Sequence, residues 1–272
     1  MTFLELEKTV QPGVDASIGE KVDEKRDDIS EEARAALQET ENALRSLDEK
    51  KPKEALDALE RVTGKLELLL ARKPELSLAP TGVHVVTHDV IGTRDEIEAM
   101  REQAEDLLED GEVQRARGII AGLASEMIIG VTHIPLASYP EAIKAVSPLI
   151  DEGRIEEAKA ALQAALSTLV VTEHVIPIPI LRAEQMLMKA EPLAERKDRS
   201  QDEKQALEEL LENARYHIEL AKALGYGDKN VYEEFFDQIK EIEEKTADKK
   251  AGKGYFNGIR QSLSKFETAV FK

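Results

Sequence analysis

The sequence predicts an all-α protein: stacked antiparallel helical hairpins, as a bundle or a short solenoid, with a C-terminal helical extension. Three observations predict it. An apolar residue, a short charged turn and an alanine eight positions on recur three times, as Leu47-DEKKPKE-Ala55, Leu108-EDGEVQR-Ala116 and Ile150-DEGRIEE-Ala158. The match continues with Leu59, Ile120 and Leu162 four residues after the alanine, and with Leu66, Met127 and Leu169 eleven after it. Four and eleven are near whole turns of a helix, so each set is expected on one face. Second, Thr93-RD-Glu96, Ser138-YP-Glu141, Ser200-QD-Glu203 and Asn230-VY-Glu233 fit the capping box or its asparagine relative. Third, helical periodicity runs almost unbroken from Ser30 to Leu224. A repeated hairpin cannot bury its apolar stripe alone and must lean on a neighbour.

Residues 1–29 are polar, with Pro12-Gly13 and charges through Asp27-Asp28, and read as a loosely held N-terminal arm that Phe3, Leu4 and Leu6 can dock. The hairpin domain spans 30–227. Leu37, Leu44 and Leu47 define its first helix, and Pro52 suits the first turn of the second. The whole segment 97–134 reads as a further hairpin. Two connectors depart from helix. Residues 77–92, SLAPTGVHVVTHDVIG, are β-branched and rich in breakers, giving either an extended segment or a buried helix end. Residues 170–179, VVTEHVIPIP, are extended, because a residue before proline avoids the α region.

Pro179 then opens a helix that runs to Ala194 and is kinked or ended by Pro192. A helix over 203–224 carries Leu207, Leu210, Leu211, Ala214, Ile218, Ala221 and Leu224 on its apolar face, and Gly225 closes it. Residues 228–272 form an aromatic-rich extension, since eight of the eleven aromatics fall in the last 47 residues. Two helices are expected there, 231–246 and 255–270, joined by ADKKAGKG.

The 34% charged and 42% hydrophobic residues fit a folded globular chain. No run reaches the roughly 18 apolar residues that span a bilayer. The opening MTFLELEKTV lacks the basic and apolar regions of a signal peptide, which is expected of a cytoplasmic protein or of a periplasmic one whose leader has been removed. There is no cysteine, so disulfides, thiol nucleophiles and cysteine-bound metals are excluded. The formal charge of −18 repels phosphate, which argues against nucleic acid and anionic membranes as partners.

The helix-turn-helix PLIDEGRIEEAKAALQAAL, the connector VIPIPILRAE and the hairpin arm ENARYHIELAKALGYG carry a resemblance to the YfdX family over residues 30–227. The resemblance implies an all-helical protein that self-associates, is linked with bacterial acid and other stress responses, and has no established enzymatic activity. It supplies no catalytic residues. An export leader, carried by many relatives, is not visible in this sequence.

Candidate chemistry is sparse, and no cofactor is expected. His88, His133 and His174 share VTH or TEH contexts and suggest a three-histidine zinc site. Helix pairs spaced at about 8–10 Å would spread such a column over roughly 20 Å, far beyond zinc–nitrogen bonds of about 2 Å. His84 and His88 stand four apart, as a helical metal pair would, but HVVTH equally suits a strand. His217 lies on the apolar side of its helix, where a hydrogen-bonded core histidine is the plain reading. No Glu-x-x-His, Gly-x-Ser-x-Gly or phosphate-loop motif occurs. In the tail, Phe256, Ile259, Leu263, Phe266 and Val270 recur at helical spacing, as a terminal cap or as a self-association face. The expected function is a non-enzymatic, self-associating protein that responds to pH. The alternative is a helical module that binds a peptide or small molecule.

Overall fold

The computed structural model describes residues 3–90, 92–247 and 253–267. In chain order the elements are α1 (Phe3–Asp27), α2 (Glu31–Asp48), α3 (Pro52–Arg72), β1 (Leu78–His88), α4 (Arg94–Glu109), α5 (Val113–Ile120), β2 (Glu126–Pro135) and α6 (Tyr139–Lys144). They continue with α7 (Val146–Asp151), α8 (Ile155–Ser167), β3 (Val170–Pro177), α9 (Ile178–Ala194), α10 (Gln201–Leu224), α11 (Lys229–Thr246) and α12 (Asn257–Glu267). The protein is mainly helical but not all-α. Its three strands form an antiparallel sheet in the order β1-β2-β3.

The strand that sequence periodicity misses is β2. Its residues EMIIGVTHIP alternate, with Met127, Ile129 and Val131 turned inward. Met127 therefore lies on a strand and not on the helical face expected for it. A run rich in β-branched residues fits the pleat better than a third turn of α5, which stops at Ile120. Ile120, matched in the repeat to Leu59 and Leu162, is 48% exposed while those two are 1% and 0%.

Contacts divide the chain into two compact units: unit 1 comprises residues 1–20, 86–128 and 175–272, and unit 2 residues 21–85 and 129–174. The chain passes from one unit to the other within α1 and within each strand.

Unit 2 holds the α2–α3 hairpin and the α6–α7–α8 segment. Ser30 caps α2, its hydroxyl accepting from the Ala33 N–H at 3.3 Å. Leu47, Leu59, Leu66, Tyr139, Ile143, Ile150 and Leu162 share one apolar core. Each fully buried leucine or isoleucine there stabilises by roughly 1.5–3 kcal/mol. The turns at residues 48–54 and 151–157 have the same backbone. Lys50 and Gly153 are left-handed at φ 60° and 73°, and the N–H groups of Lys51 and Arg154 donate to Ser46 O and Leu149 O, both at 2.8 Å. This is the Schellman closure, which satisfies the last carbonyls of a helix.

The same turn recurs in unit 1, where Gly111 has φ 76° and the Glu112 N–H donates to Leu107 O at 2.7 Å. Repeat-equivalent burial also reaches back into the first helix of each hairpin: Ala36, Ile97 and Tyr139 are all 0% exposed, and Ala43, Ala104 and Val146 are 0%, 3% and 0%. Elsewhere in unit 1, Thr93–Glu96 and Ser200–Glu203 form complete capping boxes. Ser138 makes no side-chain cap, and Asp228 rather than Asn230 caps α11, accepting from the Asn230 N–H at 2.9 Å. Gly225, at φ 85°, ends α10.

Residues expected as a loose arm form α1. Leu6, Val10 and Val14 are buried, which supplies the apolar gain that a solvated arm lacks. Pro12 sits inside the helix, and Lys189 Nζ donates to the Thr9 carbonyl at 2.6 Å nearby. Gly13 lets α1 approach α9: a Cβ there would lie 2.1 Å from Gln185 Oε1. Pro192 lies within α9, which ends two residues later at Ala194. At the other end of the chain α12 is described to Glu267, so Val270 lies outside the described residues. Tyr232, Phe235 and Phe266 pack edge-to-face with ring centroids 5.6–6.0 Å apart.

Candidate functional site

The histidines are distributed by strand rather than by hairpin. His84 and His88 lie on β1, His133 on β2 and His174 on β3. Four residues along a strand is about 13 Å, so His84 and His88 are too far apart to share an ion. Among the described residues no group of three or more His, Asp or Glu side chains is arranged to hold a metal ion. His88, His133 and His174 therefore form no ligand set. Burial holds the His174 imidazole below its ordinary range, with Lys25 and His133 adding to the effect and Glu24 opposing it. The His84 ring lies over Gly130 of β2, where a Cβ would sit 2.1 Å from its Cε1. A side chain at Gly130 would displace the exposed ring.

Phe256, Ile259, Leu263 and Phe266 are 1%, 1%, 0% and 5% exposed and lie in the core of unit 1 with Tyr232, Phe235 and Ile239.

The polar side chains that do converge in unit 1 come from α1, the segment after β1, the segment before β2, α9 and α10. The Arg182 guanidinium donates from both terminal nitrogens to Asp89, at 2.7 Å and 3.4 Å. Asp89 also accepts from the Ser125 hydroxyl at 2.7 Å. The Ser125 N–H donates to Tyr226 Oη at 2.9 Å, its carbonyl accepts from the Ile178 N–H at 2.9 Å, and Tyr232 Oη donates to the Tyr226 carbonyl. This chain of charge-assisted and neutral bonds ties the exit of β1, the entry of β2 and the start of α9 to α10 and α11. Burial raises the Tyr226 and Tyr232 hydroxyls above their ordinary range, so both stay protonated.

Beside this network lies His217, 0% exposed. Its Nε2 is 3.7 Å from Glu7 Oε1, and its ring meets Tyr216 edge-on at 5.6 Å between centroids. Burial pushes the imidazole down to about 3, and the positive charge of Arg182 pushes in the same direction. At neutral pH the histidine is therefore uncharged, and its contact with Glu7 is not an ion pair. Burial raises the Glu7 carboxyl, Arg182 lowers it, and Asp89 raises it further. Two carboxylates thus share the field of one guanidinium, next to a histidine that resists protonation.

Chemically, such a histidine is a poor base at pH 7, since a general base works best with a pKa near the operating pH. The histidine's apolar helix face is legible in the sequence; its neighbours are not. The available signal is a charge beside an apolar stretch, Arg182 after IPIL and Asp89 after the β-branched HVVTH.

A protein-family model described as "YfdX protein" matches residues 36–175. Among solved structures, one of Salmonella Typhi YfdX is similar at 14% sequence identity, covering 55% of this chain and 93% of that chain with a TM-score of 0.38. No curated protein matches the chain.

Proposed function

Because this chain belongs to the YfdX family, we propose that it is a non-enzymatic, self-associating stress protein whose stability and assembly respond to acid. The observation that carries the reading is His217, buried and neutral, 3.7 Å from Glu7 and within the field of Arg182. Unfolded, a histidine takes up a proton near pH 6.5; here it does so only at about 3. Acidification therefore draws the chain toward states that open the cluster. Glu7 acts in the opposite sense, because a carboxyl raised by burial favours the fold once protonated. The two tendencies meet in one cluster, which suits a graded response more than abrupt collapse.

The surface changes in the same interval. A formal charge of −18 keeps copies apart at neutral pH, and that repulsion fades toward the sequence pI near 4.8. The stress-linked role itself rests on the family. Sedimentation velocity at pH 7.5 and pH 5 tests the proposal: the mass or hydration of the particle changes between them. An identical particle at both would reject it.

A further inference from the structure

In unit 2 two copies of the repeated hairpin cover one another. Helix α2 packs on α8, and α3 packs on α6 and α7. The first arm of each hairpin thus meets the second arm of the other. Exchanging the two hairpins leaves this pattern unchanged, as in a two-fold, self-complementary interface. The residues buried in their common core are repeat equivalents: Leu47 with Ile150 at 2% and 5% exposure, and Leu59 with Leu162 at 1% and 0%. An ion pair crosses between the hairpins, Lys159 Nζ to Asp48 Oδ1 at 2.8 Å.

The third hairpin, α4–α5 in unit 1, has the same turn and the same apolar positions, with no matching hairpin among the described residues of that unit. At its start Ile97 is buried against Leu220 and Ala223 of α10. Toward the turn, however, Leu108 and Ile120 are 46% and 48% exposed. They hold the positions of Leu47 and Leu59. Counted from the same turn, Glu109 holds the position of Asp48, and Arg117 that of Lys159. Both charges of the crossing pair are therefore present on this one hairpin, which makes it complementary to itself.

We infer that the α4–α5 hairpin docks on the α4–α5 hairpin of a second copy of this chain, as α2–α3 docks on α6–α8. The inference rests on the self-association proposed above and names its surface. About a two-fold axis, α4 of each copy packs on α5 of the other. Leu108 and Ile120 become buried, and Glu109 of each copy faces Arg117 of the other. Every contact is made twice, so a single substitution acts on both halves of the interface.

The test is sedimentation equilibrium of the full chain at pH 7.5 and at pH 5, where the repulsion between copies has faded. It compares the wild type, Ile120→Lys, Glu109→Arg, Arg117→Glu and the double charge reversal. Lysine suits the last turn of α5, where a cation meets the negative helix end, so Ile120→Lys leaves the fold intact and its circular dichroism unchanged. Losing two buried isoleucines raises the dimer dissociation constant about a hundredfold or more. Each single reversal weakens the dimer, and the double reversal restores it. Two outcomes overturn this surface while leaving self-association standing: a wild-type multimer that Ile120→Lys does not weaken, or a double reversal no tighter than the singles. A wild-type monomer at both pH values overturns both.

Discussion

Replacing His217 with glutamine should flatten much of the acid sensitivity of unit 1 while keeping a polar side chain of similar reach. The folded pKa lies below the unfolded one, about 3 against 6.5. The unfolded chain therefore binds the proton first. The stability is fully present above about pH 6.5 and is lost progressively as pH falls toward 3. The loss grows by about 1.36 kcal/mol for each pH unit below 6.5. At pH 5 it is about 2 kcal/mol, against almost nothing at pH 7.5. Glu7 works against this loss, because its raised carboxyl gains a proton in the fold before it would in the unfolded chain. The glutamine variant retains the Glu7 contribution and loses that of His217. Urea unfolding followed by far-ultraviolet circular dichroism at pH 7.5 and pH 5 measures the difference. The wild type should lose about 2 kcal/mol more than His217→Gln between the two pH values. Equal losses in both proteins would refute the assignment of a neutral buried histidine, whatever the absolute cost of the substitution.

Two further substitutions probe the turns and the sheet. Lys50→Gly relieves the only non-glycine residue at positive φ among the described residues, and should raise the urea midpoint by the equivalent of about 1 kcal/mol. An unchanged or lower midpoint would show that the lysine side chain compensates for its backbone. Gly130→Ala drives a Cβ into the His84 ring and should lower the melting temperature. Because His84 is exposed and its ring can be removed, His84→Ala in the same chain should recover most of that loss; no recovery would place the strain elsewhere.

The sequence was most legible where one local rule sufficed. The turns after Leu47, Leu108 and Ile150 share a spacing because each needs a left-handed residue three positions on, filled by Lys50, Gly111 and Gly153. The boxes at Thr93 and Ser200 are likewise local, four residues that satisfy one another. Periodicity failed where two readings fitted the same letters. Met127 stands at a helical interval from Ala116 and also at an inward position of β2; β-branched neighbours and partner strands decide for the sheet. Pro12-Gly13 reads as a breaker, yet α1 runs through it, because Gly13 permits the close approach to Gln185. Leu108 and Leu47 look alike in the sequence. Only the packing separates an exposed side chain from a buried one. The cluster around His217 was hidden for a related reason: Glu7, Asp89, Arg182 and His217 lie far apart along the chain, and no spacing rule connects them.

The division of the chain also has a consequence for synthesis. Unit 1 draws on residues 1–20 and on residues 175–272. Leu6 and Val10, synthesised well before α9 and α10, share their core with Ile180, Leu187 and Leu211. Helix α1 must therefore wait, apolar face uncovered, until α9 and α10 have followed it out. During that interval unit 2 has already received every residue it needs, since its last is His174. Maturation is thus expected to proceed from the middle of the chain outward, with the first helix among the last pieces to settle.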